Sequence, residues 1–572
     1  MKKIILSLMA GMVLFTSCDL LNNDPYDSFT KGNFFTSETN VEMYTNAFYS
    51  EWSGYGNNGS YGTFYFPTLN DNQAVTGITT WDFTTVSATD GTWDASYAEI
   101  RRANILLENI DGVDMDNATK EYYKSLGRLY RAWQHFCVVR KFGDCYWVDH
   151  SLTTEDTDIL YGPRQNRNDV MDKMLEDLNY AVENMGTKNA DSRTAYNVYV
   201  AQAIKAQICL FEGTYVKYHQ NEGDNNDRSS LYLKEAKAAA EAIIQSGKFA
   251  LTPGAEGYRA NYNSLELAGN TEMIMYKKYV LGVLYHANQD YCCGSTQTHG
   301  LNKAAFNAYL MKDGSLPTGE DKGVLGTDGL DAGKPVIYDL VAARDPRLGQ
   351  QIDGYLAYVG NGRVRYEGMP GQDGAAENTV STGYGILKFD EPVTLAKYRQ
   401  ATNGNETDGP IFWLAEILLN HAEACAELGE DAAAKTSLNK LRVRAGMPEY
   451  APVNDPANTI GGSDLIWEIR RERRMELFHE GNRIKDLRRW YKLDYMDYDT
   501  NPDKYLGPWI DFPVEEPQFM KDKINVLKVQ DAEGNIHTYN GTNPSDMVGF
   551  YCVRNAVNRE TFFIRSYMRP VG

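Results

Sequence analysis

The sequence predicts a mainly α-helical protein in which helix pairs form a scaffold and a large, irregular, loop-rich face grows between them. Three observations predict it. Apolar residues recur with helical period in paired segments. Long stretches rich in Gly, Asn, Tyr and Trp separate those pairs. No Pro-, Ser- or Gly-rich linker divides the chain, so one large domain is expected.

The elements follow in order. Lys2 and Lys3 precede an apolar run from Ile4 to Phe15 that is too short to span a bilayer, so residues 1–17 read as a signal peptide. Phe15-Thr16-Ser17-Cys18 looks like a lipobox, which makes Cys18 the expected lipidated residue and the only membrane attachment the sequence offers. Residues 18–572 then form the single domain. Its first helix pair is Glu121 to Phe142 followed by Val170 to Asn184, and its second is Ala195 to Glu212 followed by Tyr232 to Ser246. The third lies at 412–444. Its first helix, Phe412 to Leu428, is apolar almost all round, and Glu416, Asn420, Glu423 and Glu427 form one narrow polar stripe, the pattern of a helix buried in a bundle. Gly429 ends it. Ser463 or Asp464 can cap a further helix with Leu465, Trp467, Ile469 and Leu477 on its apolar face. Small residues three apart (Ala203 and Ala206, Ala236 and Ala239) let helices approach closely. Such pairs, interrupted by insertions near 51–94 and 254–410, resemble tetratricopeptide repeats, so the fold class is a tetratricopeptide-like helix-pair scaffold with a variable ligand-binding face.

Composition narrows the partners. A net charge of −20 argues against nucleic acid and anionic membrane surfaces, and it leaves neutral glycan as the easiest ligand class unless a local basic pocket overrides it. Tyrosine outnumbers phenylalanine 39 to 21, which suits a wet recognition surface, although most tyrosines are expected to pack. Cys137, Cys209 and Cys425 fall on apolar helices and read as small core residues. No cysteine or histidine spacing matches a metal site, and no phosphate-binding loop or nucleophile elbow is present, so no cofactor and no catalytic residue is expected. The acidic stretch Asp224 to Asp227 does not fit an EF-hand loop.

Candidate site residues lie on the insertions, because long irregular loops are uncommon unless functional. Trp81 sits among threonines beside Asp82 with no local apolar pattern to explain it, so it can stack on a sugar ring or pack as loop core. Asp71 and Asn72 can hydrogen-bond sugar hydroxyls or simply form a turn. Cys292 and Cys293 are adjacent and can close a strained ring with a rigid apolar face, or stay separate thiols. Arg363, Arg365 and Tyr398 are further polar contacts. Trp93, Trp413, Trp467 and Trp490 read as structural. The run from Arg470 to Arg474 alternates with Glu468, Glu472 and Glu476, so ion pairs within that helix are expected rather than phosphate binding.

The segments IFWLAEILLNHAEACAELGEDAAAKTSLNKLRVRAGMP and SDLIWEIRRERRMELFHEGNRIKDLRRW resemble the C-terminal signature of the SusD/RagB family of surface nutrient-binding lipoproteins. WDASYAEIRRAN, RAWQHFCVVRKFGD and RDPRL look like family landmarks in family order, while the ending at Tyr567 to Gly572 departs from the commonest family ending. The resemblance implies a non-catalytic, cell-surface, outer-membrane protein that captures an oligosaccharide and acts as lid of a SusC-like TonB-dependent transporter. It also implies an aromatic ligand contact just before WDASY, where Trp81 lies. The adjacent cysteines resemble fructan-handling members, which points to fructan such as levan. Two rival readings remain at this stage: a lipid-anchored glycoside hydrolase, whose carboxylate pair cannot be judged by counting, and a surface solenoid that binds peptide or protein.

Overall fold

Five helices of the spine start at a side-chain cap, and three are followed by a glycine of positive φ. The computed structural model describes residues 34–57, 62, 64, 70–75, 90–219, 228–293, 299–318, 322–357, 380–391, 404–458, 463–497 and 500–553. Cys18, Trp81, Arg363, Arg365, Tyr398 and the 224–227 stretch lie outside these residues. The spine helices are α1 (Gly91–Asn109), α2 (Asn117–Phe142), α3 (Arg167–Asn184), α4 (Val198–Tyr218) and α5 (Arg228–Gln245), then α6 (Leu414–Glu427), α7 (Asp431–Arg444), α8 (Asp464–Glu476) and α9 (Arg483–Arg489). Side-chain oxygens of Asp90, Asp116, Asn166, Asn197 and Ser463 accept the first free backbone N–H groups of α1, α2, α3, α4 and α8. Gly143, Gly429 and Gly446 follow α2, α6 and α7 with φ of 77°, 79° and 82°, a conformation that costs residues with a Cβ.

The helices pack in series: α1 on α2, α2 on α3, α3 on α4, α4 on α5, α5 on α6, and α6 on both α7 and α8. This is the expected stack of pairs. Ala203, Ala206, Ala236 and Ala239 are all buried at the α4–α5 contact region. Gly213 permits a close approach, since a Cβ there would sit 2.8 Å from Leu233 Cγ. No described helix is long and apolar enough to cross a membrane.

Among the described residues, four small sheets interrupt the helices. β2 (Met273–Lys277) pairs antiparallel with β8 (Gly409–Trp413), and β1 (Gln73–Val75) pairs antiparallel with β3 (His299–Leu301). A four-stranded sheet holds β4 (Val324–Leu325), β5 (Pro335–Val336), β6 (Ile352–Ala357) and β7 (Gly383–Ile386) in that order. The other, near the C-terminus, is ordered β11 (Ile536–Thr538), β10 (Lys528–Gln530), β12 (Val548–Cys552), β9 (Leu506–Asp511). Phe412 and Trp413, expected in the helix, are therefore strand residues. Their backbone pairs with β2, and Leu414 N–H, the first of α6, donates to Glu272 O at 2.9 Å, so sheet pairing overrides the apolar periodicity.

One cluster of buried apolar side chains runs from Phe35 to Tyr551. Many of its largest members are tyrosines, among them Tyr55, Tyr196 and Tyr258. Their hydroxyls donate to backbone carbonyls of other segments: Tyr55 to Tyr262 O at 2.6 Å, Tyr196 to Phe48 O at 3.1 Å and Tyr258 to Glu476 O at 3.1 Å. Tyr262 O and Glu476 O lie in the last turn of a helix, where no intrahelical donor follows, and a buried tyrosine supplies the missing one. These tyrosines serve the core rather than a recognition surface.

Candidate binding site

The polar stripe on α6 is where the site begins. Glu423 is fully buried and accepts from Arg489 Nη1 and Nη2 at 2.6 and 2.7 Å and from Trp490 Nε1 at 2.6 Å. Asn420 accepts from Arg473 at 2.8 Å, and Glu427 pairs with Lys217 at 2.7 Å and Arg470 at 3.4 Å. The stripe thus faces the arginines of α8 and of the α9 turn. Burial alone would push Glu423 up, but Arg489 overrides it and holds the carboxyl at about 2.

The arginine run of α8 corrects the sequence expectation. Arg471 pairs with Glu468 inside the helix at 3.1 Å, but the other described pairs of this helix reach other elements. Arg473 bonds Asp486 at 2.8 Å, Glu476 receives Arg347 at 2.8 Å as well as Arg444, and Glu472 also receives Arg347. Arg347, in the RDPRL segment, is fully buried and bonded to Asp345 too. The reason is burial on several sides of α8. Away from water each guanidinium needs a carboxylate from whatever element packs against it.

Where α8 and α9 emerge from this array, a cleft of about 590 Å³ opens. Trp467, Arg470, Arg471 and Arg474 of α8 line it together with Arg483, the first residue of α9, and Trp490, which follows it. Its wall also carries Asn307, Tyr495, Asn501 and Lys504. Trp490, expected as core, is nearly buried but borders the cleft, and Trp467 is half-buried with its Nε1 donating to Asp455 at 3.0 Å. A larger, more open hollow of about 890 Å³ beside Ile244, Leu418 and Val443 is lined by no tryptophan or tyrosine.

Asp71 and Asn72 reach this wall, but not as free hydroxyl binders. The Asp71 carboxylate is fully buried and accepts from Arg483 Nε and Nη2 at 2.7 and 2.6 Å, with Arg474 Nη2 at 3.6 Å. Asn72, 4 % exposed, accepts from Arg474 Nε. Burial would raise the Asp71 carboxyl, yet Arg483 and Arg474 outweigh it and hold it well below the usual carboxylate range. The local sequence explains the placement. Asn70 Oδ1 accepts from Asn72 N–H at 2.7 Å to form a tight turn, and Asn302 Nδ2 donates to both Asp71 O and Lys504 O, linking those two lining segments. Asp71 therefore positions the cleft arginines.

Cys292 and Cys293 are not an exposed platform. They sit on the short helix Asn288–Cys293 as thiols, 0 % and 4 % exposed, with Cys292 Sγ donating to Asn288 Oδ1 at 3.3 Å. Neither lines the cleft. A sugar cannot stack on side chains the core already covers. Trp93 is half-buried at the start of α1 against Phe142, as expected of a structural residue.

Sequence reasoning missed Arg474, Arg483 and Lys504 as wall residues. A signal was present: residues 470–489 hold eight cations (Arg470, Arg471, Arg473, Arg474, Arg483, Lys485, Arg488, Arg489) against four acids (Glu472, Glu476, Glu480, Asp486). That excess cannot be neutralised within its own segment.

A family model described as the SusD family matches residues 239–571, and one described as "Starch-binding associating with outer membrane" matches residues 19–210. A SusD-like protein of Bacteroides ovatus is 22% identical over 560 residues, covering 94% of this chain and 89% of that protein. SusD-like protein P38 of Formosa agariphila is 24% identical over 410 residues, covering 70% of this chain and 72% of its own length. Among solved structures, a SusD-like protein from Bacteroides fragilis superposes with a TM-score of 0.63 at 22% identity, covering 96% of this chain and 97% of the other. A SusD-like carbohydrate binding protein from the same species gives 0.63 at 19%, covering 94% and 97%. At these identities the structural likeness establishes the fold.

Proposed function

The chain belongs to the SusD family, and from that premise we propose that it is a lipoprotein of the outer cell surface, anchored through Cys18, that captures an oligosaccharide without turning it over. In this reading it hands the glycan to a SusC-like TonB-dependent transporter, over which it closes as a lid. The observation that carries the binding role is the cleft between α8, α9 and Lys504, where tryptophan, tyrosine, amide and charged side chains converge on one cavity of about 590 Å³. The outer-membrane description of the model matched by residues 19–210 and the carbohydrate-binding neighbour from B. fragilis support the same reading.

Trp81, six residues after β1, remains the proposed stacking residue on the insertion side, with Asp71 tying the middle of that insertion to the cleft wall. Arg365 and Tyr398 stay proposed polar contacts. The pointer to fructan weakens, because it rested on the adjacent cysteines and those are buried. Calorimetry with a panel of oligosaccharides, fructans included, tests the reading. Binding is expected for at least one glycan, chain length is expected to be unchanged after prolonged incubation, and Trp81→Ala is expected to weaken binding about ten-fold, on the order of 1.4 kcal/mol. Products accumulating in proportion to protein would make the chain a hydrolase instead. Unaltered affinity in Trp81→Ala would remove that residue from the site.

A further inference from the structure

The cleft has a sign of its own. Five cations line it, Arg470, Arg471, Arg474, Arg483 and Lys504, against three carboxylates, Asp71, Asp455 and Asp503. Each carboxylate is already engaged. Asp71 is shared between Arg474 and Arg483, Asp455 accepts from Trp467 and Arg471, and Asp503 bonds Lys303 at 2.9 Å. Two glutamates behind the wall, Glu427 and Glu468, answer Arg470 and Arg471.

Lys504 is left over. It is only 9 % exposed and faces the cleft, yet among the described residues its ammonium has no carboxylate within ion-pair distance and no hydrogen-bond acceptor. The ring of Tyr495 lies 5.9 Å away. Arg470 and Arg471, 4 % and 6 % exposed, each also keep a buried Nε–H without an acceptor among the described residues. A buried charge without a partner is costly, so a site built this way favours a ligand that supplies the missing anion. Burial and the neighbouring Arg474 and Arg483 draw Lys504 down to about 8 despite the opposing pull of Asp71, and an arriving anion would reverse that. The net charge of −20 does not forbid this, because at physiological salt fields decay over about 8 Å and the local wall decides.

We propose that this cleft takes an acidic saccharide, its carboxylate or sulfate group received by Lys504 with Arg471 and Arg474, and its ring laid against Trp467. The inference rests on the glycan reading above and narrows it to a charged class of sugar. Planar guanidinium forks suit a carboxylate or sulfate, and an indole face suits the apolar side of a pyranose ring.

The test is calorimetry of the purified protein with oligogalacturonate, a sulfated oligogalactan, maltoheptaose and inorganic sulfate. At least one acidic oligosaccharide is expected to bind more tightly than maltoheptaose and to weaken as salt rises, and the two acidic arms separate a carboxylate from a sulfate source. Lys504→Met is expected to weaken that binding about tenfold or more. Lys504→Arg is expected to restore most of it. Unfolding midpoints keep the result interpretable: Lys504→Met removes an uncompensated buried charge, so the fold is expected to be at least as stable. Maltoheptaose binding with no acidic sugar bound overturns this inference and leaves the glycan reading standing. Sulfate bound with no saccharide bound overturns both. Unchanged acidic-sugar affinity in Lys504→Met also overturns it.

Discussion

Replacing Glu423 by glutamine should cost this protein several kcal/mol at neutral pH and almost nothing in strong acid. Glu423 is fully buried in α6 and holds the Arg489 fork and the Trp490 indole at once. Its carboxyl sits at about 2 against an ordinary 4.5, and at 1.36 kcal/mol per decade that gap is worth about 3 kcal/mol. No discount for solvent applies at a site without exposure. Because the folded value is depressed, the contribution is fully present above about pH 4.5 and is lost as pH falls towards 2. Glu423→Gln cannot titrate and leaves Arg489, 2 % exposed, with Asp486 as its remaining carboxylate. Breaking a buried pair this way typically costs ~3–5 kcal/mol. Urea unfolding followed by tryptophan fluorescence, with refolding checked, is the assay. The lead of the parent protein over Glu423→Gln should be flat from pH 8 to 5 and then shrink by about 1.4 kcal/mol per pH unit. A lead that stays constant down to pH 3 would refute the assignment. The double variant Glu423→Leu/Arg489→Leu should be much milder than either single change, since no charge is stranded.

Three further outcomes follow from the fold. Gly213→Ala drives a methyl group into Leu233 between α4 and α5 and should destabilise by roughly 1–3 kcal/mol, read from the urea midpoint. Ser463→Ala removes the acceptor for Leu465 N–H at 3.1 Å and should cost about 1 kcal/mol, without altering ligand affinity. Burial pushes the Cys292 thiol up, so Cys292 and Cys293 should resist a thiol reagent in the native protein and both react in urea; a peptide lacking two hydrogens in non-reducing mass spectrometry would contradict the thiol assignment.

The helix pairs were legible because long amphipathic segments with polar caps encode their own boundaries. Ser463 marks a start and Gly429 marks an end with no help from tertiary structure, whereas the helix read as beginning at Ala195 starts only after Asn197. The strands were mostly not legible. β10 and β11 are three residues each, and nothing within three residues tells a strand from a loop until its partner is known. Phe412 and Trp413 misled for the opposite reason, their apolar pattern continuing that of α6 across a real boundary. Little of the candidate site was legible. Asp71 was singled out and does border the cleft, but its role inverted because Arg483, four hundred residues away, reaches it through space. The acids on α8 looked sufficient for its arginines, and only packing reveals that Glu472 and Glu476 serve Arg347 instead.

Helix pairs stacked in series touch only their neighbours, and an array of that kind can fray from either end. This one is cross-stitched. Arg347 reaches from the mid-chain insertion to Glu472 and Glu476 of α8, Arg444 from α7 to the same Glu476, and Arg489 from α9 to Glu423 of α6, so each stitch holds buried charge on both sides. Opening one repeat therefore uncovers charges in several others. The scaffold should melt as a unit rather than pair by pair, so that the loops can diverge in sequence and still be presented by a frame that yields all at once or not at all.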